Sequence, residues 1–255
     1  MTILAATHVA ATQDAVTLHA GRYVARISAA CDVFEQAHRL RSAAFACKGR
    51  SDQDEFDPES LHGIVTDTQT GTAKVAFRVR VLSDGVDLNE TYTGQNYDLA
   101  PLRTLRGPYV ELGRVCQNGL HPDPMALRMT WAALTALVDQ HDASMLIGCT
   151  SFPGADIDRH AGALSRLAAH HLGASALRPR RKSPHAVDLP RTGTTGQIPH
   201  PLQSYLTLGG WVSDHAVVDP ALDTVHVFTG LCIADIPETR KRRLRAIAES
   251  TRTPT

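Results

Sequence analysis

Several absences narrow what this chain can be. No apolar run reaches the roughly 20 residues that a membrane-spanning helix needs, and no basic stretch leads into an apolar segment at the N-terminus, so neither a span nor a secretory signal is expected. Neither CxxC nor HExxH occurs, and the thirteen histidines are scattered rather than set at ligand spacing, so no metal site is expected. Cysteine is scarce: five residues, an odd number at wide intervals, form no disulfide framework and suit a reducing compartment. One sign of charge does not prevail either. The 26 basic residues balance 26 acidic ones, which leaves no global field to recruit nucleic acid. The expectation is a soluble cytoplasmic protein whose 255 residues can bury a substantial core.

What is present is an unusual strand. In Tyr109-Val-Glu-Leu-Gly-Arg-Val-Cys116, Val110, Leu112, Val115 and Cys116 call for an apolar, pleated environment, whereas Glu111 and Arg114 do not. An ionised side chain is rarely buried without a partner or a task. In a regular strand, positions 111 and 114 point to opposite faces. Gly113 between them is the residue that would permit a bulge and so re-aim one of them. A carboxylate and a guanidinium brought together on a bulged central strand would mark a catalytic cleft. On these residues alone, a structural ion pair is an equal reading.

The remaining chain alternates β and α patterns, with no internal repeat. Residues 1–19 carry no clear period and read as a loose arm, residues 20–236 as one domain, and residues 237–255 as a basic helix and tail with the run Arg240-Lys-Arg-Arg243. Arg22–Ala29 is a first strand. Cys31–Lys48 is a helix with Val33, Ala37, Leu40 and Ala44 on one stripe. His62–Asp67 and Lys74–Leu82 form a hairpin across Thr70-Gly71, with Arg78 and Arg80 sharing one face. Residues 83–107 read as a polar excursion. After the Glu111 strand, Asp123-Pro124 opens a helix, since Asp suits the N-cap and Pro the first helical position. Ser144–Thr150 is a strand, Asp156–His171 a helix, 178–200 a loop, Pro201–Gly209 a short helix and Thr224–Cys232 a last strand. The fold class is α/β: a central mixed, mostly antiparallel, twisted sheet flanked by helices.

Strands first, then strand–helix–strand–helix, is similar to the order in GNAT acyltransferases, and the local wording goes further. Arg39-Leu-Arg41 with Phe45, Asp54-Glu-Phe-Asp57 with His62, Phe77-Arg78 and Glu111-Leu-Gly-Arg114 are followed by Leu146-Ile-Gly-Cys-Thr-Ser-Phe-Pro-Gly154 and Tyr205-Leu-Thr-Leu-Gly-Gly-Trp-Val212. In order and spacing, over about residues 20–245, these pieces resemble the bacterial ornithine Nα-acyltransferases, relatives of the acyl-homoserine-lactone synthases within the GNAT superfamily. The segment Asn118–Pro124 departs from the glycine-rich phosphate loop of ordinary GNAT enzymes, which agrees with a carrier-protein donor rather than coenzyme A.

The resemblance implies transfer of a 3-hydroxyacyl chain from acyl carrier protein to the α-amine of ornithine, giving lyso-ornithine lipid, with no cofactor bound. Glu111 would be the base that deprotonates the amine. Arg41, Arg78 or Arg114 would hold the acceptor's carboxylate. Asp54 and Asp57 would meet its amines, and Phe45, Phe77, Phe152 and Trp211 would line the acyl slot. Partners are the carrier protein, the amino-acid acceptor and, because the product is lipid-like, the inner face of the membrane by peripheral contact. Cys116 and Cys149 read as small core residues. Three alternatives stay open: glutamine or another amino acid as acceptor, a lactone synthase using S-adenosylmethionine, and a non-catalytic acyl-binding module of the same fold. The wording of 148–154 and 205–211 resembles the lipid branch rather than the lactone branch.

Overall fold

The computed structural model describes residues 15–45, 51–83, 87–119, 123–191 and 196–250. Its elements are β1 (Val16–Ala20), β2 (Tyr23–Ser28), α1 (Cys31–Phe45), β3 (Leu61–Asp67), β4 (Thr72–Leu82), α2 (Tyr92–Asn96), β5 (Tyr97–Asp98), β6 (Tyr109–Gln117), α3 (Pro124–Gln140), β7 (Met145–Pro153), α4 (Ala161–His170), β8 (Arg180–Arg181), β9 (Ala186–Asp188), α5 (His200–Thr207), β10 (Trp211–Asp219), β11 (Thr224–Cys232) and α6 (Glu238–Ser250). A nine-stranded sheet runs β1-β2-β3-β4-β6-β7-β11-β10-β9, and β5 pairs with β8 apart from it. Every neighbouring pair in the large sheet is antiparallel except β6–β7.

Alternation along the strands sorts side chains to two faces. In β4, Val75, Phe77 and Val79 are buried in the core cluster that includes α3, while Ala76 packs with Val33, Ala37 and Leu40 of α1. The sheet is thus a middle layer between α1 and α3. α3 begins where its cap residues lie: the Asp123 carboxylate accepts from the backbone N–H groups of Met125 and Ala126, and Pro124 takes the first turn. α6 lies on α3, with Arg245 donating twice to the Asp139 carboxylate at 2.9 and 2.8 Å.

Four regions differ from the sequence reading. The loop expected over 178–200 holds two short strands, β8 paired with β5 and β9 paired with β10. Residues 16–19, expected within a loose arm, form with Ala20 the edge strand β1, because Val16 and Leu18 reach the main core when paired with β2; residues 1–14 lie outside the described residues. The excursion over 83–107 is not merely polar: Leu88, Tyr97, Leu99 and Leu102 bury themselves against Met145, Ile147 and Phe228, making a second core. β10, which no periodicity singled out, fills the place between β9 and β11.

One break in pairing positions the site. β6 and β7 pair only over Tyr109–Glu111 and Met145–Ile147. Beyond that β6 stays with β4 and β7 stays with β11, so the two strands part. Gly148 marks the parting: a Cβ there would stand 2.3 Å from the Leu112 carbonyl oxygen, so only glycine lets the strands approach this closely before they diverge.

Candidate active site

The cleft between the parted strands is lined by Glu111, Leu112, Gly113 and Arg114 of β6, by Gly148, Cys149, Thr150 and Ser151 of β7, by Phe45, Arg78, Tyr92 and Thr93, and on its far side by residues of α5 and β11. Glu111 and Arg114 reach the same cleft because of a bulge. Ala76 pairs with Cys116 and Arg78 with Gly113, so Arg114 and Val115 together stand opposite Phe77. The irregularity falls one residue beyond the expected hinge: Arg114 itself adopts φ 53°. A non-glycine residue in the left-handed region costs about 1–2 kcal/mol, which the surrounding contacts must offset. Gly113 has another part, since a Cβ there would meet nothing within 4 Å and would only occupy the cleft.

Glu111 is buried, and its Oε1 accepts from the backbone N–H of Thr93 at 2.7 Å. Thr93 sits in α2, whose start is capped by the Thr91 hydroxyl accepting from the Gly94 N–H. Cys149 lines the cleft beside them rather than merely filling core. Burial pushes its thiol well above the ordinary range, with the Glu111 charge adding to the effect, so it is held protonated and is no nucleophile.

Arg114 is held by charge and by rings. Its Nη2 donates to Asp54 Oδ2 at 2.9 Å, and its guanidinium lies 5.8 Å from the Phe45 ring centroid and 5.5 Å from that of Tyr92. Arg78 also donates to Asp54, and to Asp57 Oδ1 at 3.0 Å. Behind them Arg41, wholly buried, donates through Nε to Asp52 at 2.7 Å and through Nη1 to Asp57 at 2.7 Å. The three guanidinium groups of Arg41, Arg78 and Arg114 are thereby matched by the carboxylates of Asp52, Asp54 and Asp57. Burial would raise the Asp57 carboxyl, but hydrogen bonds and charge from Arg41 outweigh it and hold the pKa at about 2.

The structure therefore gathers all five charged residues expected to bind the acceptor, but in two ranks. Arg78 and Arg114 line the cleft, whereas Arg41 and Asp57 are enclosed and consumed by their partners. Asp54, with 21% of its side chain exposed, lies between the ranks. Asp52, which sequence reasoning passed over, completes the cluster; its only signal was the alternation with Asp54 in an acidic stretch. Tyr92 and Thr93 were also missed, since a five-residue helix leaves no periodic trace. Of the aromatic residues expected in an acyl slot, only Phe45 lines the cleft. Phe77 points to the opposite face of β4 from Arg78 and packs in the α3-side core; Phe152 is core beside His160; Trp211 packs at a tilt against Phe228, ring centroids 5.3 Å apart, over Gly173. The expected departure from a phosphate loop falls partly on residues 120–122, outside the described residues. Among the described residues no helix is long and apolar enough to cross a membrane, and no group of three His, Cys, Asp or Glu converges as a metal site.

A mixed sheet parted beside a buried glutamate, between two helical layers, is a GNAT-type acyltransferase architecture, and residues 31–132 match the acetyltransferase (GNAT) domain family. The L-ornithine N(alpha)-acyltransferase of Rhodobacter capsulatus is 30% identical, the match covering 80% of this chain and 88% of the relative. That of Agrobacterium fabrum is 27% identical, covering 80% and 75%. Among solved structures, FeeM, an N-acyl amino acid synthase from uncultured soil microbes, is 12% identical with a TM-score of 0.45, covering 91% of this chain and 99% of that one. The chain belongs to the L-ornithine N(alpha)-acyltransferase family and is an acyltransferase.

Proposed function

We infer that the protein transfers a 3-hydroxyacyl chain from acyl carrier protein to the α-amine of ornithine, giving a lyso-ornithine lipid. The observation that carries this reading is the bulge at Arg114, which puts a buried carboxylate and a half-engaged guanidinium on one cleft between parted strands. The choice of ornithine is supported by the similarity to the L-ornithine N(alpha)-acyltransferases of Rhodobacter capsulatus and Agrobacterium fabrum.

The residues divide the chemistry as follows. An amino acid at neutral pH is mainly ammonium and cannot attack. Glu111, fixed through Oε1 by the Thr93 N–H, takes that proton through its other oxygen. The amine nitrogen then attacks the thioester carbon. Backbone N–H groups left without strand partners where β6 parts from β7 donate to the oxyanion. The C–S bond breaks as the amide forms: the proton Glu111 first took is released to solvent, the attacking nitrogen then gives its second proton to Glu111, and that proton passes to the leaving sulfur, so the carrier departs as its thiol and one proton is released overall. Arg114 and Arg78 hold the acceptor's carboxylate, and Asp54 sets the angle of both guanidinium groups.

The test offers folded protein 3-hydroxyacyl carrier protein with ornithine, glutamine and S-adenosylmethionine in competition, and identifies the acylated species by mass. Acyl-ornithine is the expected product, and Glu111→Gln should lower kcat on the order of 10²–10⁴-fold with the fold intact. Acylation of another acceptor in preference to ornithine, or of none, would overturn the reading.

A further inference from the structure

The cleft has a second polar station that the acyl transfer itself does not use. The Thr150 and Thr229 hydroxyls lie 3.0 Å apart, and both residues line the cleft. Thr229 is 1% exposed. Each hydroxyl has one hydrogen to donate. Within the pair one hydrogen is used, whichever residue donates, and the other has no acceptor among the described residues. Thr150 is half-buried, so the spare hydrogen lies either on the enclosed Thr229 or on Thr150 at the cleft wall. Once a ligand covers the cleft, that donor is costly to leave without an acceptor, so this is a place suited to receive a ligand oxygen.

Its position relative to the chemistry is set by the sheet. Along β7, Gly148 and Thr150 share the face of Leu146 and Phe152, which belong to the α3-side core, while Ile147 and Cys149 share the face of Glu111. On β11, Thr229 is the direct Cα partner of Gly148. The hydroxyl pair thus lies across the sheet from Glu111, just past the parting of β6 and β7. A chain whose carbonyl meets the amine on the Glu111 face passes through the gap and meets the threonines next. Thr150 is two residues along β7 from Gly148, roughly 6–7 Å. An oxygen on the third carbon of an acyl chain reaches about as far from the thioester carbon once a hydrogen bond of about 2.8 Å is added.

We propose that the Thr150–Thr229 pair binds the 3-hydroxyl of the acyl donor and selects 3-hydroxyacyl over unsubstituted chains. This deepens the acyltransferase reading and rests on it. The substrate hydroxyl accepts the spare O–H of the pair and donates to the free lone pair of the other threonine, so all three hydroxyls are satisfied. An unsubstituted chain leaves the spare donor buried and unpaired, and selection against it should be about tenfold or more in kcat/KM. Thr224 supplies an internal control. Its hydroxyl is also buried, without partner and on the cleft wall, but it is five residues from Thr229 along β11, roughly 16 Å and beyond the third carbon.

The experiment measures kcat/KM for ornithine acylation with 3-hydroxyhexadecanoyl and hexadecanoyl carrier protein as paired donors. Wild-type protein and Thr224→Val should show the same preference for the hydroxylated donor. The double variant Thr150→Val with Thr229→Val should transfer both chains about equally, and the double serine variant should restore the preference. Circular dichroism and the Tm of each variant separate lost selection from lost folding, and Thr150→Val alone serves where the pair does not fold. Preference retained in a folded valine variant, or absent in wild type, overturns the assignment. Wild-type protein that transfers neither chain overturns the acyltransferase reading and the assignment with it.

Discussion

Arg41 is a fully buried arginine whose donors are taken by Asp52 and Asp57. From the sequence, its order with Phe45 and Asp57 placed it among groups that touch the acceptor; its enclosure makes it instead the post on which Asp57, and through Asp57 the Arg78 guanidinium, is set. Removing one partner of a buried charge network leaves the others desolvated and unpaired, which costs about 3–5 kcal/mol. Arg41→Leu should therefore lower the denaturant midpoint strongly, while Arg114→Lys should leave it nearly unchanged and instead raise KM for the acceptor, because an ammonium cannot copy the guanidinium's planar contacts with Phe45, Tyr92 and Asp54. Equal losses of stability in the two variants, measured by urea denaturation, would contradict this division. Arg41, Asp54, Asp57, Arg78, Glu111 and Arg114 were each legible as function-capable residues, since charge stands out against apolar neighbours. Which of them face open space was not, because exposure depends on partners far off in sequence.

At the scale of elements, α2 is the piece that orients the Glu111 carboxylate, the base of the proposed reaction. It is fastened on several sides: Thr91 caps it, Thr93 donates to Glu111, and the Lys182 ammonium donates to the Gly94 carbonyl at 2.6 Å. Gly94 packs so closely that a Cβ would stand 1.9 Å from the Leu88 carbonyl oxygen. Gly94→Ala must push α2 away from the 3-10 turn at Leu88–Asn89 that precedes it. The expected result is a lower kcat with little change in KM, and about 1–3 kcal/mol of destabilisation from the displaced packing; steady-state kinetics and a urea titration check both. Gly148→Ala acts on the other wall, at the parting of β6 and β7, and should impair turnover with every acyl donor alike. α3 was readable in advance through Asp123-Pro124, and the β3–β4 hairpin through its alternation, because caps and pleats are local signals. α2 and β10 were not, since one is too short for a period and the other is defined by the strands beside it.

At the scale of the whole molecule, buried titratable groups predict an acid limit to stability. Burial holds His62 and His226 neutral, each with its pKa lowered from 6.5 to about 4. Between those values the unfolded chain binds protons that the folded protein does not, so stability falls as pH drops from about 6.5 to 4, by up to about 1.4 kcal/mol per pH unit for each histidine. Asp57 extends the loss: its folded pKa of about 2 lies below its ordinary 3.8, so the stability it contributes is present above that ordinary value and is lost as pH falls towards 2. Urea midpoints at pH 7, 5 and 3 should decline stepwise, and a flat profile from 7 to 5 would show that these histidines are not buried as described.

Local pattern was enough to establish an α/β chain, its hairpin, the capped start of α3 and a strand carrying two charges that a core does not accept. These rest on neighbours within a few positions, where period and capping act. The convergence of Arg41 with Asp52 and Asp57, the turn of Arg114 into the left-handed region, and the passage through the sheet at Gly148 rest on pairings between distant strands. Long-range register sets those pairings, and a slip of one residue would exchange every inward and outward side chain, so they became visible only in the folded molecule.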